Sequence, residues 1–263
     1  MTKIKTVLDA LERFAPLPLQ EDWDNAGLQI GLTETEVLGA LLCLDVTEEI
    51  VDEAMKKGCN LIISHHPLIF HPLKRICDED FIQRIIRRCI KNDITIVSMH
   101  TNLDNAENGV NYKIAEKLSL TNLRFLKPCA EAQGKGGSGV IGELAKPLSA
   151  EDFLKRTKDT FNAEVLMTNE LLTRNIKTVA LCGGAGAFLL EDAIQQGADA
   201  FITGEMHYHE YFDTKQKIQI IVMGHYESEH FTQEILEKIL HSQCPDVKTY
   251  IATTNTNPIR YFV

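Results

Sequence analysis

The sequence predicts an α/β protein made of two similar halves that arose by internal duplication. Short apolar runs alternate with helix-like segments along the 263 residues. The stretch that begins at Ala40, ALLCLDVTEEIVDEAMKKGCNLIISHHPL, aligns without a gap with VALCGGAGAFLLEDAIQQGADAFITGEMH, which begins at Val179. A second match follows in the same order, between ITIVSMHTNLD (94–104) and IQIIVMGHYESE (218–229).

Each copy has the pattern strand, loop, helix, glycine, strand. Cys43 falls on Cys182 and Gly58 falls on Gly197, so the offset stays at 139 residues. Both glycines stand where a left-handed residue would end the helix. A strand–helix–strand unit of this length predicts parallel strands that are joined by a right-handed crossover. The offset falls to 125 at the second match, which predicts a shorter connection in the second copy.

The remaining elements complete the predicted domain organisation. A first helix is expected within MTKIKTVLDALERF, and a last helix around residues 232–241 is followed by the strand YIATTN. We expect a first domain over residues 1–128 and a second over 129–233, with 234–263 packing back onto the first. The glycine-rich segment 129–139 is interpreted as a loop or linker between the halves.

Composition and charge exclude several classes of function. Hydrophobic residues make up 44% and charged residues 24%, which is typical of a globular protein. The net charge of -10 argues against nucleic-acid binding. No apolar run approaches the roughly 20 residues of a membrane span. The seven cysteines form no C-x-x-C pair, which favours core thiols in a reducing, cytoplasmic setting over a zinc ribbon or disulfides.

Histidines and carboxylates follow the ends of three predicted strands, where α/β proteins bind ligands. His-His-Pro follows LIIS, and a His-x-x-x-acid pattern follows each of the two matching strands near 94 and 218. Imidazole and carboxylate are ligands for zinc, manganese or iron. The candidate ligands are His65, His66, His100, Asp104, His225 and Glu229. This set is larger than one ion needs, which suggests two ions.

Four further features near the predicted strand ends have structural or functional interpretations. The loop 183–186, GGAG, opens a helix and is either an anion-binding cradle or a tight packing turn. Glu205 stands at the repeat position of His66 and is either a group that supports the metal site or a helix-start acid. Ser228 is a candidate helix cap. The segment 22–25, DWDN, which holds the single tryptophan, is either part of the mouth of the site or a capped loop.

Six of these motifs together resemble the NIF-three-like family, also labelled GTP cyclohydrolase I type 2 homologues. They are EDWDNAGLQIG (21–31), SHHPLIF (64–70), HTNLD (100–104), GGAG (183–186), TGEMHYHE (203–210) and GHYESE (224–229). The resemblance implies a two-domain α/β fold with a dinuclear metal site in the interdomain cleft, and a ring-shaped homohexamer. Carried over by position, the metal ligands are His65, His66, Asp104, His225 and Glu229. His100 matches a family histidine close to the metals and either supports a ligand or transfers a proton.

Two hypotheses of function follow from the residues and the resemblance. The first is a hydrolase that uses two divalent metal ions on a small-molecule substrate, a nucleotide such as GTP or a phosphoester. The second is a metal-binding, ring-forming scaffold or regulatory protein without turnover. An open coordination position would favour the enzyme and a closed metal shell the scaffold. The sequence names neither the metal nor the substrate.

Overall fold

The computed structural model describes residues 2–129 and 135–262, and this part of the chain folds into two compact α/β units. Unit 1 contains the chain up to Leu103 together with His230–Pro258. Unit 2 contains Asp104–Glu229 and the residues from Ile259 onward. Each unit has its own sheet and its own hydrophobic core.

The described residues form eleven strands and nine α-helices. The strands are β1 (Gly27–Ile30), β2 (Ala40–Cys43), β3 (Leu61–Ser64), β4 (Thr95–Ser98), β5 (Thr121–Pro128), β6 (Gly137–Leu148), β7 (Met167–Thr168), β8 (Ile176–Cys182), β9 (Ala200–Thr203), β10 (Gln219–Val222) and β11 (Thr249–Ile251). The helices are α1 (Ile4–Phe14), α2 (Glu48–Lys56), α3 (Phe81–Lys91), α4 (Thr101–Asp104), α5 (Val110–Lys117), α6 (Ala150–Phe161), α7 (Leu190–Gln195), α8 (His225–Glu229) and α9 (Thr232–Gln243).

Unit 1 is built on a five-stranded sheet in the order β1-β4-β3-β2-β11. Strands β2, β3, β4 and β11 run parallel, and β1 pairs antiparallel with β4 at the edge. Every residue of β2, β3 and β4 is buried, which explains their apolar sequences. Cys43 lies opposite Ser64, and Ser64 lies opposite Ser98, so the three strands end level with one another.

Helix α2 of unit 1 follows directly from its local sequence. The Thr47 hydroxyl accepts a hydrogen bond from the Ile50 N–H and caps the first turn. Gly58 ends the helix with φ +69°, a left-handed conformation that suits glycine. Its apolar face packs with α3 on the sheet, and the core of unit 1 includes Leu41, Cys43, Ile50, Val51, Ala54, Ile62, Ile85, Ile86 and Ile96.

Unit 2 is built on a six-stranded sheet in the order β5-β6-β8-β9-β10-β7. Strands β8, β9 and β10 run parallel, and β7 pairs antiparallel with β10 at the edge. On the other side β6 pairs antiparallel with β8, and β5 with β6. The core of unit 2 includes Leu126, Ile141, Ala180, Leu189, Ala193, Phe201, Ile218, Ile220 and Val222.

The sheets share a four-stranded unit that accounts for the internal sequence match. Strands β1 to β4 and β7 to β10 have the same order, the same directions and an antiparallel first strand paired with the fourth. Cys43 pairs with Ser64 as Cys182 pairs with Thr203. The eleven-residue helix α3 precedes β4, whereas only a 3-10 turn, Tyr208–Tyr211, lies between β9 and β10. The second connection is therefore shorter, as its sequence predicted.

The register of the strands corrects the second sequence match by one residue. Ile62 pairs with Ile96, and its counterpart Phe201 pairs with Ile220. The offset of 125 residues had placed Ile96 on Ile221, but the strand register makes Ile96 equivalent to Ile220. The extra residue of the second copy lies between the end of β10 and His225, where Gly224 adopts a φ of +101°.

The chain divides at other residues than the expected ones. Residues 104–128 belong to unit 2, because β5 pairs with β6 and α5 packs on β6 and β8. The segment 129–139, expected as a loop or linker between the halves, lies in the chain between β5 and the start of β6, inside unit 2. Gly137 already begins β6, and residues 130–134 lie outside the described residues. Residues 230–258 belong to unit 1, where β11 pairs with β2 and α9 packs on α1.

Two expectations from composition concern the cysteines and the membrane. All seven cysteines are free thiols, and five of them are buried: Cys43, Cys59, Cys89, Cys182 and Cys244. This agrees with their interpretation as core residues. Among the described residues, no helix combines the length and apolar character that crossing a bilayer requires.

Candidate metal centre

Unit 1 brings three histidines together at the ends of two neighbouring parallel strands. His65 and His66 follow β3 directly, and His100 stands between β4 and α4. Because Ser64 lies opposite Ser98, the residues that follow these strands emerge side by side. The ligand nitrogens of the three imidazoles lie within 4.8 Å of one another, and the group could hold a metal ion.

His65 is completely buried, and its ring orientation is set by the backbone. Its Nδ1 donates a hydrogen bond of 2.7 Å to the carbonyl oxygen of Met99. A carbonyl can only accept, so the proton of the neutral imidazole is on Nδ1 and the lone pair on Nε2. This is the tautomer in which Nε2 serves as a metal ligand.

His66 is oriented by a carboxylate. Asp45, which follows the end of β2 by two residues, accepts a hydrogen bond from His66 Nδ1 at 2.7 Å and another from the Thr256 hydroxyl at 2.7 Å. Burial favours the neutral acid, but the contacts with His66 and Thr256 outweigh it and lower the pKa of Asp45. Asp45 is therefore ionised at neutral pH and keeps the His66 proton on Nδ1.

His100 has an equivalent partner from the loop before β1. Its Nδ1 lies 2.7 Å from Asp24 Oδ1, and the backbone N–H of Thr101 donates to Asp24 Oδ2 at 3.0 Å. Burial again favours the neutral acid, but the hydrogen bonds from His100 and Thr101 prevail and lower the pKa of Asp24 to about 2. Of the two interpretations of segment 22–25, a role beside the histidines describes Asp24 better than a capped loop.

Unit 2 carries the remaining candidate ligands, Asp104, His225 and Glu229. Helix α8 begins at His225 and ends at Glu229, so the two side chains lie on one face, with His225 Nε2 3.0 Å from Glu229 Oε2. Asp104 is the last residue of α4, and its ligand oxygen lies within 4.8 Å of that of Glu229. The backbone carbonyl of Asp104 accepts a hydrogen bond from the Asn111 amide at 3.0 Å.

Glu205 supports His225 as the aspartates support the histidines of unit 1. Its Oε1 lies 2.8 Å from His225 Nδ1. An ionised carboxylate can only accept, so the Nδ1 proton is held towards Glu205 and Nε2 faces Glu229. Of the two interpretations of Glu205, the supporting group is the one that its contact favours.

The GGAG loop is a packing turn. The Gly183 N–H donates to Asn111 Oδ1, the Gly184 N–H to Ser228 Oγ and the Gly186 N–H to Thr203 Oγ1. These amides are engaged by the protein's own side chains and do not form an anion cradle. Ser228 was expected to cap a helix, but α8 already begins at His225, so Ser228 instead holds the loop.

Sequence reasoning missed Asp45 and did not assign a partner to His100. Asp45 follows the end of β2, on the same edge of the sheet as His65 and His66, and that position is the signal by which it could have been found. Asp24 is 76 residues away from His100, and only the folded chain shows their contact.

The candidate histidines have the supporting contacts that metal ligands usually have. Metal-binding histidines in proteins almost always donate their second ring N–H to a carboxylate or a backbone carbonyl. His65, His66, His100 and His225 each have such a partner at Nδ1. Each of these supporting contacts lies within a single unit, and each leaves the Nε2 atom of its histidine as the candidate ligand atom.

Comparison with known proteins agrees with this fold and these motifs. The family model described as Duf34/NIF3 (NGG1p interacting factor 3) matches residues 2–258. A Clostridium acetobutylicum protein named GTP cyclohydrolase 1 type 2 homolog is 30% identical over 264 residues, with 98% of each chain covered. The NIF3-like protein 1 of Drosophila melanogaster is 37% identical over 250 residues, 92% of this chain and 84% of that one.

Solved structures give the same result. The crystal structure of a Bacillus cereus protein related to NIF3 matches with a TM-score of 0.91 and 25% identity, covering 99% of each chain. The family model and the 30% identity both extend over nearly the whole chain. This chain belongs to the Duf34/NIF3 family.

Proposed function

We propose that this chain is a dinuclear metal-dependent hydrolase that acts on a nucleotide or phosphoester. Its metal ligands are His65, His66, Asp104, His225 and Glu229, and His100 transfers a proton during the reaction. The ions are zinc, manganese or iron, which suit a ligand set of imidazoles and carboxylates.

The observation that carries the proposal is the Nδ1 contact of each candidate histidine. An ordinary surface histidine has no need of a fixed tautomer, and a carboxylate at Nδ1 raises the basicity of Nε2 towards a metal. Asp45 is this carboxylate for His66, and Glu205 is this carboxylate for His225. Met99 supplies the corresponding acceptor for His65.

The bound ions would supply Lewis acidity and a water-derived nucleophile at neutral pH. His100 is not needed as a ligand in this scheme. The ionised Asp24 holds the Nδ1 proton of His100, so His100 accepts a proton from the attacking water at Nε2 and then releases it to the leaving group. The resulting imidazolium is stabilised by the same carboxylate.

The nature of the substrate is supported by the names of the relatives. The Clostridium acetobutylicum relative is named a GTP cyclohydrolase 1 type 2 homolog, and a nucleotide is the corresponding proposal for this chain. We also propose a homohexamer, as the family resemblance implies, and a cytoplasmic location, because the cysteines form no disulfide or zinc-ribbon pattern. Sedimentation velocity on the purified chain tests the oligomer, since a species of six chains is expected.

The experiment that tests the function combines a metal count with a hydrolase screen on one sample. Elemental analysis of the purified chain is expected to give about two divalent ions per chain. His65→Ala and Glu229→Ala each remove a proposed ligand, and both variants are expected to lose metal and turnover. The screen includes nucleoside triphosphates and simple phosphoesters.

His241→Ala is the matched control, because His241 is an exposed histidine of α9 whose Nε2 lies 2.9 Å from the Thr249 hydroxyl. It is expected to retain the metal and the activity. A wild-type chain without metal would contradict the proposal. A chain that holds two ions but hydrolyses nothing in the screen would favour the alternative scaffold or regulatory protein.

A further inference from the structure

Two exposed aromatic side chains of unit 1 lie beside the histidine cluster. Trp23 is 59% exposed and Phe70 is 36% exposed. Their ring centroids lie 5.8 Å apart. The centroid of the His100 ring lies 6.0 Å from that of Trp23 and 6.1 Å from that of Phe70. We call Trp23 and Phe70 the aromatic platform. Large exposed rings next to a polar site need an explanation, because burial would otherwise be favourable.

The loop that carries Trp23 is tied down on both sides of the ring. On one side the Glu21 N–H donates to the Thr101 hydroxyl at 2.9 Å. On the other side Asp24 accepts from the Thr101 N–H and from His100. The position of the indole is therefore linked to the residues that begin α4 and to the histidine cluster itself.

A second set of hydrogen bonds joins this loop to the segment that carries Phe70. The Asn25 amide donates to the carbonyl oxygen of Ile69 at 2.6 Å, and the Ile69 N–H donates to Gln29 Oε1 at 3.2 Å. Gln29 in turn donates to the Asn25 carbonyl at 2.6 Å. Trp23 and Phe70 are thus held next to each other by their neighbours in sequence, and not only by their own contact.

The spacing of the rings determines how a ligand can use them. A planar ring inserted between two others needs roughly 7 Å, twice the usual carbon–carbon contact distance. At 5.8 Å and an interplanar angle of 57°, Trp23 and Phe70 leave no such gap. A ligand ring therefore stacks on the exposed indole face, with Phe70 supporting the indole from the side.

The charge around the platform separates the two ends of a nucleotide. Glu21, Asp22 and Asp24 surround Trp23 in the sequence, and their carboxylates repel a phosphate. An uncharged heteroaromatic ring has no such penalty and gains stacking energy on an aromatic side chain. The base is therefore favoured on the platform, and the phosphates are favoured away from it.

We propose that the aromatic platform binds the base of a nucleotide substrate by stacking on Trp23, beside His65, His66 and His100. The inference rests on the proposed function and makes it narrower, because it selects nucleotides over phosphoesters without a base. Stacking is tolerant of base identity, so guanine and adenine nucleotides both bind.

Trp23 is the single tryptophan of the chain, so its fluorescence reports on the platform directly. The full-length chain is titrated with GTP and ATP and, in parallel, with inorganic triphosphate, which carries similar charge but no base. Free N-acetyltryptophanamide corrects for absorption by the nucleotides. Saturable quenching by GTP and ATP, with none by triphosphate, is expected. Equal responses to triphosphate and to the nucleotides would overturn the proposal.

Variants test the platform by calorimetry. Trp23→Leu is expected to raise the Kd for GTP about tenfold and to leave that for triphosphate unchanged. Trp23→Phe, which keeps an aromatic face, is expected to lie between the two. An unchanged Kd for GTP in Trp23→Leu would also overturn the inference.

Phe70→Leu and Phe81→Leu form a matched pair, since both remove an exposed phenylalanine of unit 1. Only Phe70→Leu is expected to weaken the quenching by GTP. These measurements need no turnover, so they separate the two proposals. If GTP quenches the fluorescence but the chain hydrolyses nothing, the platform is supported and the hydrolase proposal fails. If substrates with and without a base are hydrolysed equally well, the hydrolase is supported and the platform proposal fails.

Discussion

The two units have the same strand–helix–strand frame but carry different groups at the strand ends. After β3, unit 1 has His65 and His66, whereas the equivalent positions after β9 are Gly204 and Glu205. The candidate ligands of unit 1 are therefore imidazoles, whereas those of unit 2 are one imidazole and two carboxylates. The duplicated frame therefore carries two different sets of donor atoms instead of two copies of one set.

The space around Gly204 explains part of this difference. A Cβ at Gly204 would lie 2.7 Å from the Gly184 carbonyl oxygen, 2.7 Å from Ser228 Oγ and 3.0 Å from His225 Cα. The position that a whole imidazole fills in unit 1 has no room for a methyl group in unit 2. Helix α8 and the GGAG loop occupy that space.

The supporting carboxylate has also changed its place. Asp45 orients His66 in unit 1, but the equivalent residue of unit 2 is Gly184, where a Cβ would lie 2.4 Å from Glu229 Oε1. Unit 2 instead uses Glu205, at the position of His66, to orient His225. The contact at Nδ1 is kept while the residue that makes it differs, which indicates that the contact itself is what matters.

The largest expected effect tests the lack of space in unit 2. Gly204→Ala places a methyl group against two backbone groups that cannot move independently, and we expect a loss of about 2–3 kcal/mol in the free energy of unfolding. Urea denaturation measures it. A loss of this size would show that packing in unit 2 requires glycine at position 204. A loss under about 0.5 kcal/mol would show that the loop and α8 can move apart.

The next effect tests whether the two supporting carboxylates are equivalent. Asp45→Asn and Glu205→Gln keep the shape of each side chain but remove the charge that holds the Nδ1 proton. Each is expected to weaken metal binding about 10–100-fold, measured by competition with a chromogenic chelator. Glu237→Gln, on the surface of α9, is the control. If metal binding weakens in only one of the two variants, the two supporting carboxylates are not equivalent.

A smaller effect concerns Glu53, through which unit 1 holds its C-terminal segment. Burial favours the neutral acid, but the hydroxyl and N–H groups of Thr253 and Thr254 outweigh it and lower the pKa of Glu53 from 4.5 to about 2. This stabilisation is complete above the unfolded pKa and is lost as the pH falls from about 5 towards 2. Glu53→Gln is expected to cost about 1–2 kcal/mol at pH 7 and less at pH 3.

The matched control for Glu53 is the equivalent residue of unit 2, Asp192. Asp192→Asn is expected to change the free energy of unfolding by no more than about 0.5 kcal/mol. Denaturation curves at several pH values compare the variants. A Glu53→Gln chain whose stability keeps the same pH dependence as the wild type would exclude this role of Glu53.

The smallest expected effect compares the same local backbone strain in the two units. Gly58 and Gly197 have φ values of +69° and +72°, and a Cβ at either would meet nothing within 4 Å. Gly58→Ala and Gly197→Ala therefore meet backbone strain alone, and each is expected to cost about 1 kcal/mol. Thermal unfolding of the two variants should agree. A clear difference would indicate that the units respond unequally to the same local strain.

Much of the fold could be predicted because its signals are local. The buried strands β2, β3 and β4 are apolar runs, Thr47 and Gly58 mark the ends of α2, and the repeat locates the second copy. The domain boundary could not be predicted, because β5 is assigned by its pairing with β6. A sequence pattern shows that a strand exists but not which strand it pairs with.

The sequence by itself determined the duplicated α/β frame and the residue types that stand at its strand ends. Their order along the chain is enough for this, since parallel strands in one sheet end on the same edge. Only the tertiary structure decided which carboxylate supports which histidine, the use of the glycine loop for packing, and the place of Trp23 beside His100. These contacts join residues that are far apart in sequence, and their geometry depends on how the whole of each unit packs.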